Sequence, residues 1–544
     1  MKRIIPLSLC LLLIVGLIGT NVLAAENDPL VLTMFSGDIN PDDTGFEDPI
    51  AKKITEATGV KLKMEYPVGE YEQKVTLMIA SGEYPDLIFH KNAGPFVEAG
   101  TFIDLTPYIE EYGENIKDLY GPYLNRLRYS IDDPSIYFLG SFGVGSKTWD
   151  VSGVQLQHAV AKELGYPKME TVQDLEEALK AYIEKYPTIN GQPTIGLSLL
   201  ADDWRFLITV TNQAVFATGG PDDGEWYIDP ETYEAVLHHT RPEEREYFRW
   251  LNHMNDIGLL DPESFIQKYD QYLAKIASGR VLALTDARWQ YEQAEQALRQ
   301  AGMFERTYGS YPIVLNENFR RADLQDPGYS AGWGIGITVD CKDPVAAFKF
   351  LDWMASDEAQ ILNNWGIEGV NYEVIDGKRV IPPEEMNRRL NDPTYRKTTG
   401  VGLYVYPFPQ RGDGLLDPTG NTYTITTPDY IKDRYSDVER EVLSAYGVEM
   451  WMELFPQQEE LPIKTWGAAW QIPTPEDPKY QMAWQRIQDI IKRRIPEAIL
   501  ASPEQFDAIY DKMLAEIDDA GLAYVEEKFN ELLQNRLKHW GIVE

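Results

Sequence analysis

Cysteine is scarce in this chain, which has 2 cysteines among its 544 residues. Cys10 lies in an apolar N-terminal run, so a protein that loses this run keeps Cys341 alone and can form no internal disulfide. Its stability must then come from packed cores. A single hydrophobic core stops growing at roughly 250–300 residues, so a chain of this length is expected to fold as two or more lobes.

Long apolar runs are also rare, and the one at the N-terminus is short. Two basic residues precede an apolar stretch over 4–18, and Val22-x-Ala24 supplies small residues where a signal peptidase cleaves. A membrane-spanning helix needs roughly 20 apolar residues, so the run predicts an export signal cleaved near Ala24-Ala25. A retained N-terminal anchor is the alternative.

A lipid anchor is not predicted, because no cysteine follows the apolar run in the required pattern. That pattern is Leu-x-x-Cys with a small residue before the cysteine, whereas Cys10 follows Leu9 inside the run. We therefore expect an exported protein, either periplasmic or at the cell surface. A soluble exported protein would be lost from a cell without an outer membrane, which favours a periplasm or a retained anchor.

Positive charge is in short supply: 50 Lys and Arg residues stand against 86 Asp and Glu residues, for a net charge of −36. Such a surface repels phosphate backbones and anionic membranes, so nucleic acid is not an expected partner. The acidic residues are scattered rather than gathered in a tail, which is typical of a solvated surface. A hydrophobic content of 44% indicates a folded globule.

Histidine is scarce as well, and the common catalytic motifs are missing. No two of the six histidines have the i, i+4 spacing of a helical zinc site, and adjacent His238 and His239 are expected to point apart on any regular element. Neither a metal nor a cofactor is therefore predicted. Phosphate loops, dinucleotide fingerprints and nucleophile elbows are absent. Asp202-Asp203 is the first carboxylate pair to consider for glycosidase chemistry, but adjacent strand residues face opposite sides.

The apolar pattern of the first hundred residues predicts alternating strands and helices. The expected elements are a strand over 30–35, a helix from Asp48-Pro49 to Gly59, a strand over 60–66, a helix over 70–81 and a strand over 85–90. This β-α-β-α-β order implies an α/β lobe with a parallel sheet. Further helices are expected after Thr171 and Asp343, and helical patterns dominate from about Asp477.

Aromatic residues are abundant, with 13 Trp and 32 Tyr, and their flat faces suit the C–H faces and hydroxyls of sugars. Ligands of open α/β sheets collect at the carboxyl ends of strands. Several tryptophans and polar residues lie at such predicted ends or in loops, although core packing is the alternative for any single tryptophan. The predicted ligand contacts are Trp204, Trp289, Trp333 and Trp466 for stacking, and Asp203, Asp286, Arg288, His90 and Lys91 for hydroxyl groups.

Five segments carry the pattern of a known family. They are ELGYP at 163–167, GLLDPESF at 258–265, GRV at 279–281, SAGW at 330–333 and ILNNWGIEGVNY at 361–372. Together with their surroundings, over roughly residues 30–500, they resemble the large, oligosaccharide-type extracellular solute-binding proteins of bacterial ABC importers.

The resemblance implies a two-lobed α/β fold of the periplasmic-binding-protein type, each lobe a sheet flanked by helices, with a helical C-terminal extension. Residues 26–145 with about 325–375 are expected to form the N-terminal lobe, and about 146–324 with 376–544 the C-terminal lobe, joined by hinge crossovers. The resemblance also implies a monomeric, non-enzymatic receptor. It would capture an oligosaccharide in an interlobe cleft and deliver it to the membrane permease subunits of an ABC importer.

Some large receptors of this kind carry an EF-hand-like calcium loop, which would fall at 186–195 here. This stretch lacks the alternating acidic ligands and the terminal Glu of a calcium loop, and Asn190-Gly191 predicts a turn instead. The stretch 417–421 is no better as a ligand loop. A secreted carbohydrate-active enzyme, a peptide-binding receptor, and a sensor or scaffold subunit remain the alternative functions.

Overall fold

The computed structural model describes residues 28–147, 151, 153–322, 329–461, 467–470, 472 and 477–543. The predicted export segment and Trp466 lie outside this set. Two mixed sheets, each flanked by helices, and a helical C-terminal region make up most of the fold, which confirms the predicted fold class. No helix in the described part of the chain is both long and apolar enough to cross a membrane.

The strands are short and are numbered in chain order. They are β1 (Leu30–Ser36), β2 (Val60–Glu65), β3 (Leu87–His90), β4 (Leu139–Gly140), β5 (Gly143–Val144), β6 (Val154–Gln157), β7 (Thr188–Ile189), β8 (Gln192–Pro193), β9 (Ile195–Ser198), β10 (Trp226–Ile228), β11 (Ala235–Leu237), β12 (Val281–Leu284), β13 (Tyr308–Tyr311), β14 (Gly334–Ile337), β15 (Glu373–Ile375), β16 (Lys378–Val380) and β17 (Gln410–Arg411).

The three longest of the described α-helices lie at the C-terminal end. They are α1 (Pro49–Thr58), α2 (Tyr71–Ser81), α3 (Gly94–Glu98), α4 (Thr106–Tyr112), α5 (Glu114–Tyr120), α6 (His158–Glu163), α7 (Val172–Lys185), α8 (Asn212–Ala217), α9 (Pro242–Asp256), α10 (Tyr269–Ala277), α11 (Arg288–Gln300), α12 (Pro344–Met354), α13 (Asp357–Trp365), α14 (Pro383–Asn391), α15 (Tyr395–Thr399), α16 (Pro428–Arg434), α17 (Asp437–Tyr446), α18 (Pro478–Leu500), α19 (Pro503–Asp519) and α20 (Leu522–His539).

The first sheet has the strand order β2-β1-β3-β14-β4. β1 pairs in parallel with both β2 and β3, as the β-α-β-α-β pattern predicted. β14 enters from more than two hundred residues later in the chain and pairs antiparallel to β3, with Gly334 opposite His90. The reversed direction of β14 was not predicted, because strand direction in a sheet depends on where the chain returns.

Local hydrogen bonds explain why the predicted helices begin and end where they do. Asp48 caps α1 by accepting from the Ala51 N–H at 2.9 Å, and Gly59 ends the helix in the left-handed region at φ 68°. Thr171 and Asp174 form a reciprocal capping box at the start of α7. These signals involve residues three positions apart, so they are readable from sequence.

The second sheet has the order β13-β6-β12-β9. β12 pairs in parallel with β9, with Leu284 opposite Ser198, while β6 runs antiparallel to both β12 and β13. The chain therefore leaves the first sheet after β4, builds the whole second sheet, and returns at β14. The carboxyl ends of β9 and β12 consequently meet at one edge of the second sheet.

Two large hydrophobic cores lie under the two sheets. The first core includes Tyr395, Leu403 and Phe408. These three residues lie beyond residue 375, the position at which the first lobe was predicted to end. The second core takes in α18, α19 and α20, and the Phe529 ring of α20 stacks on Trp226 with 3.9 Å between ring centroids. The predicted helical C-terminal region is thus part of the second lobe's core.

The stretch at 186–195, in which no calcium loop was predicted, contains a tight hairpin formed by β7 and β8. Asn190 and Gly191 occupy its turn with φ angles of 52° and 78°. Positive φ at both central residues is the type I′ geometry that Asn-Gly favours. The turn predicted at Asn190-Gly191 is confirmed.

Asp48→Ala tests how far one buried carboxylate ties the first lobe together. Beyond its cap, Asp48 accepts hydrogen bonds from Thr44 Oγ1 at 2.7 Å and from Tyr404 Oη. We expect unfolding free energy to fall by about 2–4 kcal/mol, because a cap contributes about 1 kcal/mol and each buried bond to a charged group adds more. Urea denaturation measures this change.

Asp343→Ala is the matched control, since exposed Asp343 caps α12 through the Ala346 N–H at 3.0 Å. It should cost about 1 kcal/mol. Equal losses in the two variants would contradict a structural role for the contact with Tyr404.

Candidate ligand-binding site

The carboxyl edge of the second sheet carries two exposed tryptophans. Trp204 follows β9 and Trp289 follows β12, and these strands are parallel neighbours. Their ring centroids lie 6.0 Å apart, with 10° between the ring planes. Trp204 is 54% exposed and Trp289 is 62% exposed. The two residues, here called the tryptophan pair, present near-parallel apolar faces to solvent.

A cation and its carboxylate flank the tryptophan pair. The Arg205 guanidinium lies 4.8 Å from the centroid of Trp204 and 4.1 Å from that of Tyr269. Asp203 forms an ion pair with Arg205 and also accepts from the Arg205 backbone N–H at 2.9 Å. Asp203 is therefore held beside the pair in a fixed orientation. Lys268 and Asp202 form a further ion pair at 2.6 Å.

Asp286 lies in the buried interior rather than at the surface predicted for it. Its Oδ1 accepts from the Ala287 N–H and from Gln290 Nε2, both at 2.7 Å, and its Oδ2 accepts from Tyr272 Oη at 2.9 Å. Burial raises the pKa of Asp286 to about 7. These bonds fix the start of α11 and so position Trp289, which means that Asp286 supports the site from inside.

Arg288 begins α11 beside Trp289 and is partly exposed. Its guanidinium lies 3.4 Å from Glu295 Oε2 on the next turns of the same helix. Its side chain is directed along α11 by this pairing, so its predicted contact with a ligand hydroxyl stays a prediction.

A second group of polar and aromatic side chains lies at the corresponding edge of the first sheet. Lys91 follows β3 and Trp333 precedes the antiparallel β14, so the two residues meet, with the Lys91 Nζ 5.2 Å from the indole centroid. Lys91 also pairs with Asp38, which accepts from Tyr406 Oη at 2.9 Å. We call Asp38, Lys91, Trp333 and Tyr406 the first-lobe cluster.

Two members of the first-lobe cluster were missed from sequence. Asp38 lies two residues beyond β1, so the rule that ligands collect at strand ends could have identified it. Tyr406 comes from a segment more than three hundred residues away, and no local pattern indicates its position.

His90 belongs to the interior of the first lobe. It is 0% exposed, and its ring meets Phe138 edge-on with 4.5 Å between centroids. Burial lowers the pKa of His90 to about 3. Neighbouring strand residues point to opposite faces, so Lys91 reaches the edge cluster while His90 turns into the core. The predicted contact of His90 with a ligand is not available in this arrangement.

The expectation that His238 and His239 point apart is wrong. They lie on a short 3₁₀ helix over His238–Thr240, and their rings stack with 3.8 Å between centroids and 25° between planes. The expectation assumed a strand or a full helix, whereas a tight turn after β11 sets adjacent side chains side by side.

The buried Asp286 makes stability depend on pH. Its carboxyl stays protonated in the folded protein up to about pH 7, whereas an unfolded Asp ionises near pH 3.9. Its contribution is present in full below about pH 4 and is lost as the pH rises to about 7. Asp286→Asn stays neutral, so we expect its unfolding free energy to change less between about pH 5 and pH 8 than that of the wild type.

Urea denaturation over this pH range measures the difference. Asp507→Asn is the control, because Arg249 and Arg245 lower the pKa of Asp507 to about 2. The stability linked to that group changes only below about pH 4, so this variant should run parallel to the wild type. An Asp286→Asn profile parallel to the wild type would show that Asp286 is ionised in the folded state.

Comparison with known proteins identifies relatives across most of the described chain. Lipoprotein LipO of Bacillus subtilis (strain 168) is 25% identical over 360 residues, which cover 62% of this chain and 67% of LipO. The fructooligosaccharide ABC transporter substrate-binding protein FusA of Streptococcus pneumoniae serotype 4 is 23% identical over 275 residues. That alignment covers 46% of this chain and 48% of FusA, so the chain spans about half the length of this relative.

Solved structures share the fold over almost their full length. FusA in complex with kestose superposes with a TM-score of 0.66 and 18% identity, covering 93% of this chain and 99% of FusA. The alginate-binding protein AlgQ2 without calcium ion gives a TM-score of 0.65 at 18% identity, with 93% and 98% covered. At 18% sequence identity, this structural similarity establishes the fold of the chain.

The model of one protein family matches residues 36–361, over half of the chain, including β2 to β14 and the loops that carry the tryptophan pair. The chain belongs to the bacterial extracellular solute-binding protein family.

Proposed function

We propose that this protein is an exported receptor that captures an oligosaccharide between its two lobes and hands it to the permease of an ABC importer. The observation that carries the proposal is the tryptophan pair, Trp204 and Trp289. Large aromatic side chains are normally covered, and two of them lie exposed together at the carboxyl edge of a sheet. Sugar rings offer the apolar C–H faces that such indoles stack against.

The first-lobe cluster supplies the opposing surface in this proposal. Trp333 adds a third indole, and Lys91, Asp38 and Tyr406 offer a donor, an acceptor and a hydroxyl within one hydrogen-bonded group. A site that pairs buried polar groups with ligand hydroxyls rejects ligands without them. Closure of the two lobes would bring both surfaces onto one ligand.

The relatives support the ligand class. FusA is named for fructooligosaccharides and was solved with kestose, and other structures of the same fold are described as an HMO-binding protein and an N-glycan transport protein. The net charge of −36 and the mixed polar character of the first-lobe cluster favour a neutral or weakly charged sugar.

The remaining expectations follow from the receptor proposal. The protein would act as a monomer, without turnover and without a lipid anchor, and its signal would be cleaved near Ala24-Ala25. The proposed lobe boundaries are those predicted from sequence with one change, because the packing of residues 395–408 into the first core supports extending the first lobe to about residue 408.

Substitution of the tryptophan pair tests the stacking contact. Trp204→Ala and Trp289→Ala should each weaken binding of a fructooligosaccharide or another bound sugar at least about tenfold, equivalent to about 1.4 kcal/mol. Isothermal titration calorimetry of the purified protein measures the dissociation constant. Phe304→Ala is the matched control, since Phe304 is also an exposed aromatic residue of the second lobe, at 39%.

A thermal-shift screen against plant and bacterial oligosaccharides should come first, because a ligand that binds only the folded state raises its melting temperature. Chromatography of the sugar after incubation should show it intact, whereas hydrolysis would support the enzyme alternative. A shift with peptides and none with sugars would support the peptide-receptor alternative. Unchanged sugar affinity in both tryptophan variants would overturn the stacking model.

A further inference from the structure

A cluster of titratable side chains lies in the second lobe at the open end of the β10–β11 hairpin. Trp226 of β10 pairs with Leu237 of β11, so Glu225 and His238, the residues just outside that pair, come opposite each other. The His238 backbone N–H donates to the Glu225 carbonyl at 3.2 Å. The turn after β11 then places His239 beside His238. We call Glu225, His238 and His239 the histidine cluster.

Three potential ligand atoms converge in this cluster. Glu225 Oε2 lies 3.7 Å from His238 Nε2 and 3.6 Å from His239 Nε2, and the three atoms all lie within 4.8 Å of one another. Two ligand atoms that each lie about 2.0–2.1 Å from one tetrahedral ion are roughly 3.3 Å apart. A small inward movement would therefore give the separations of a metal centre, and the distances are too long for hydrogen bonds.

The imidazole nitrogens that face Glu225 make no hydrogen bond among the described residues. Both histidines are 0% exposed. Neither His238 Nε2 nor either ring nitrogen of His239 has a hydrogen-bond partner among the described residues. A buried polar atom without a partner costs free energy, and most such atoms in native proteins are paired. What distinguishes this pair is that both nitrogens lie within 3.7 Å of one carboxylate oxygen, an arrangement in which a single ion could contact all three atoms.

An outer carboxylate orients the first histidine. Glu244 of α9 is fully buried, and its Oε2 lies 2.5 Å from His238 Nδ1, while its Oε1 accepts from Arg241 Nη1 at 2.8 Å. With the proton on Nδ1 donated to Glu244, the Nε2 lone pair points to Glu225. A carboxylate that fixes the far nitrogen of a metal-binding histidine is the usual outer partner in zinc proteins.

The positive charge beside the cluster is already paired. Arg241 forms an ion pair with Glu244 at 2.8 Å, and its guanidinium lies 3.8 Å from the centroid of the Tyr227 ring. The cluster itself offers imidazole nitrogens and a carboxyl group, which are ligand groups that a transition metal takes.

We propose that Glu225, His238 and His239 bind one divalent transition-metal ion, with zinc as the best match, and that Glu244 is a positioning residue. Two imidazoles and one carboxylate suit zinc, whereas calcium and magnesium prefer oxygen ligands alone. Glu225 is 23% exposed on its side chain, which leaves a route for the ion and room for a water as fourth ligand.

The ion would join the two strand ends of the β10–β11 hairpin, and Glu244 would link His238 to the start of α9. The same hairpin is held along β11 by α20. There the backbone N–H of Ala235 donates to Asn530 Oδ1 at 2.7 Å and that of Leu237 donates to Glu526 Oε1 at 3.0 Å. The proposed role is therefore structural, and it is independent of the sugar site.

Zinc binding by the purified protein tests the proposal. After treatment with a chelator and its removal, titration with zinc chloride should show one site per chain, and the melting temperature should rise with zinc. His239→Asn should weaken zinc binding at least about 100-fold, because it removes a ligand whose ring nitrogens make no hydrogen bond among the described residues. Glu225→Gln removes the anionic ligand at nearly constant shape and should do the same.

His158→Asn is the matched control, because His158 is also a fully buried histidine of this lobe whose ring nitrogens lack partners among the described residues, and it stacks on Trp451 instead. It should keep the zinc site. Cobalt(II) should give the visible absorption of a tetrahedral site in the wild type and not in Glu225→Gln, which supports the proposal even if His239→Asn fails to fold.

Three results would overturn the proposal. The first is a wild-type protein without a stoichiometric zinc site. The second is a folded Glu225→Gln variant that binds zinc as tightly as the wild type. The third is loss of zinc binding in His253→Gln, since His253 is a half-exposed histidine outside the cluster and such a loss would indicate an adventitious surface site.

Discussion

The parallel pairing of β9 with β12 is the constraint on which the candidate sugar site depends. Parallel neighbours end at the same edge of a sheet, so the loops after Ser198 and Leu284 have to emerge together. This is why Trp204 and Trp289, eighty-five positions apart in sequence, lie side by side. In the first lobe, the reversed β14 achieves the same result by bringing Trp333 to the strand end that carries Lys91.

The interior of the second lobe keeps these edges in place. Buried Asp286 bonds to the first turn of α11, and the Tyr272 hydroxyl that reaches it belongs to α10. Elsewhere in the lobe, Trp226 stacks with both Trp484 and Phe529, at centroid distances of 5.4 Å and 3.9 Å. The C-terminal helices thereby fix the hairpin whose end carries the histidine cluster. Packing, with no disulfide among the described residues, holds both sites.

Prediction from sequence succeeded where the physical cause is local. The start of α1 at Asp48, the start of α7 after Thr171 and the turn at Asn190-Gly191 depend on bonds or φ angles within three residues, and all are confirmed. It failed for the adjacent His238 and His239. The expectation considered only strands and full α-helices, whereas β11 leads into a single 3₁₀ turn. For Asp286, a carboxylate after a strand suggested a ligand contact, but its burial depends on Tyr272 and Gln290.

The sequence by itself determined the α/β class, the first three strands and their parallel order, and the family to which the chain belongs. These follow from periodicity, caps and motifs that act over a few residues. Only the tertiary structure decided which candidates meet: Trp204 with Trp289, Lys91 with Trp333, and His90 with the core. Contacts between residues far apart in the chain depend on sheet order and strand direction, and the reversed β14 shows that local patterns do not specify either.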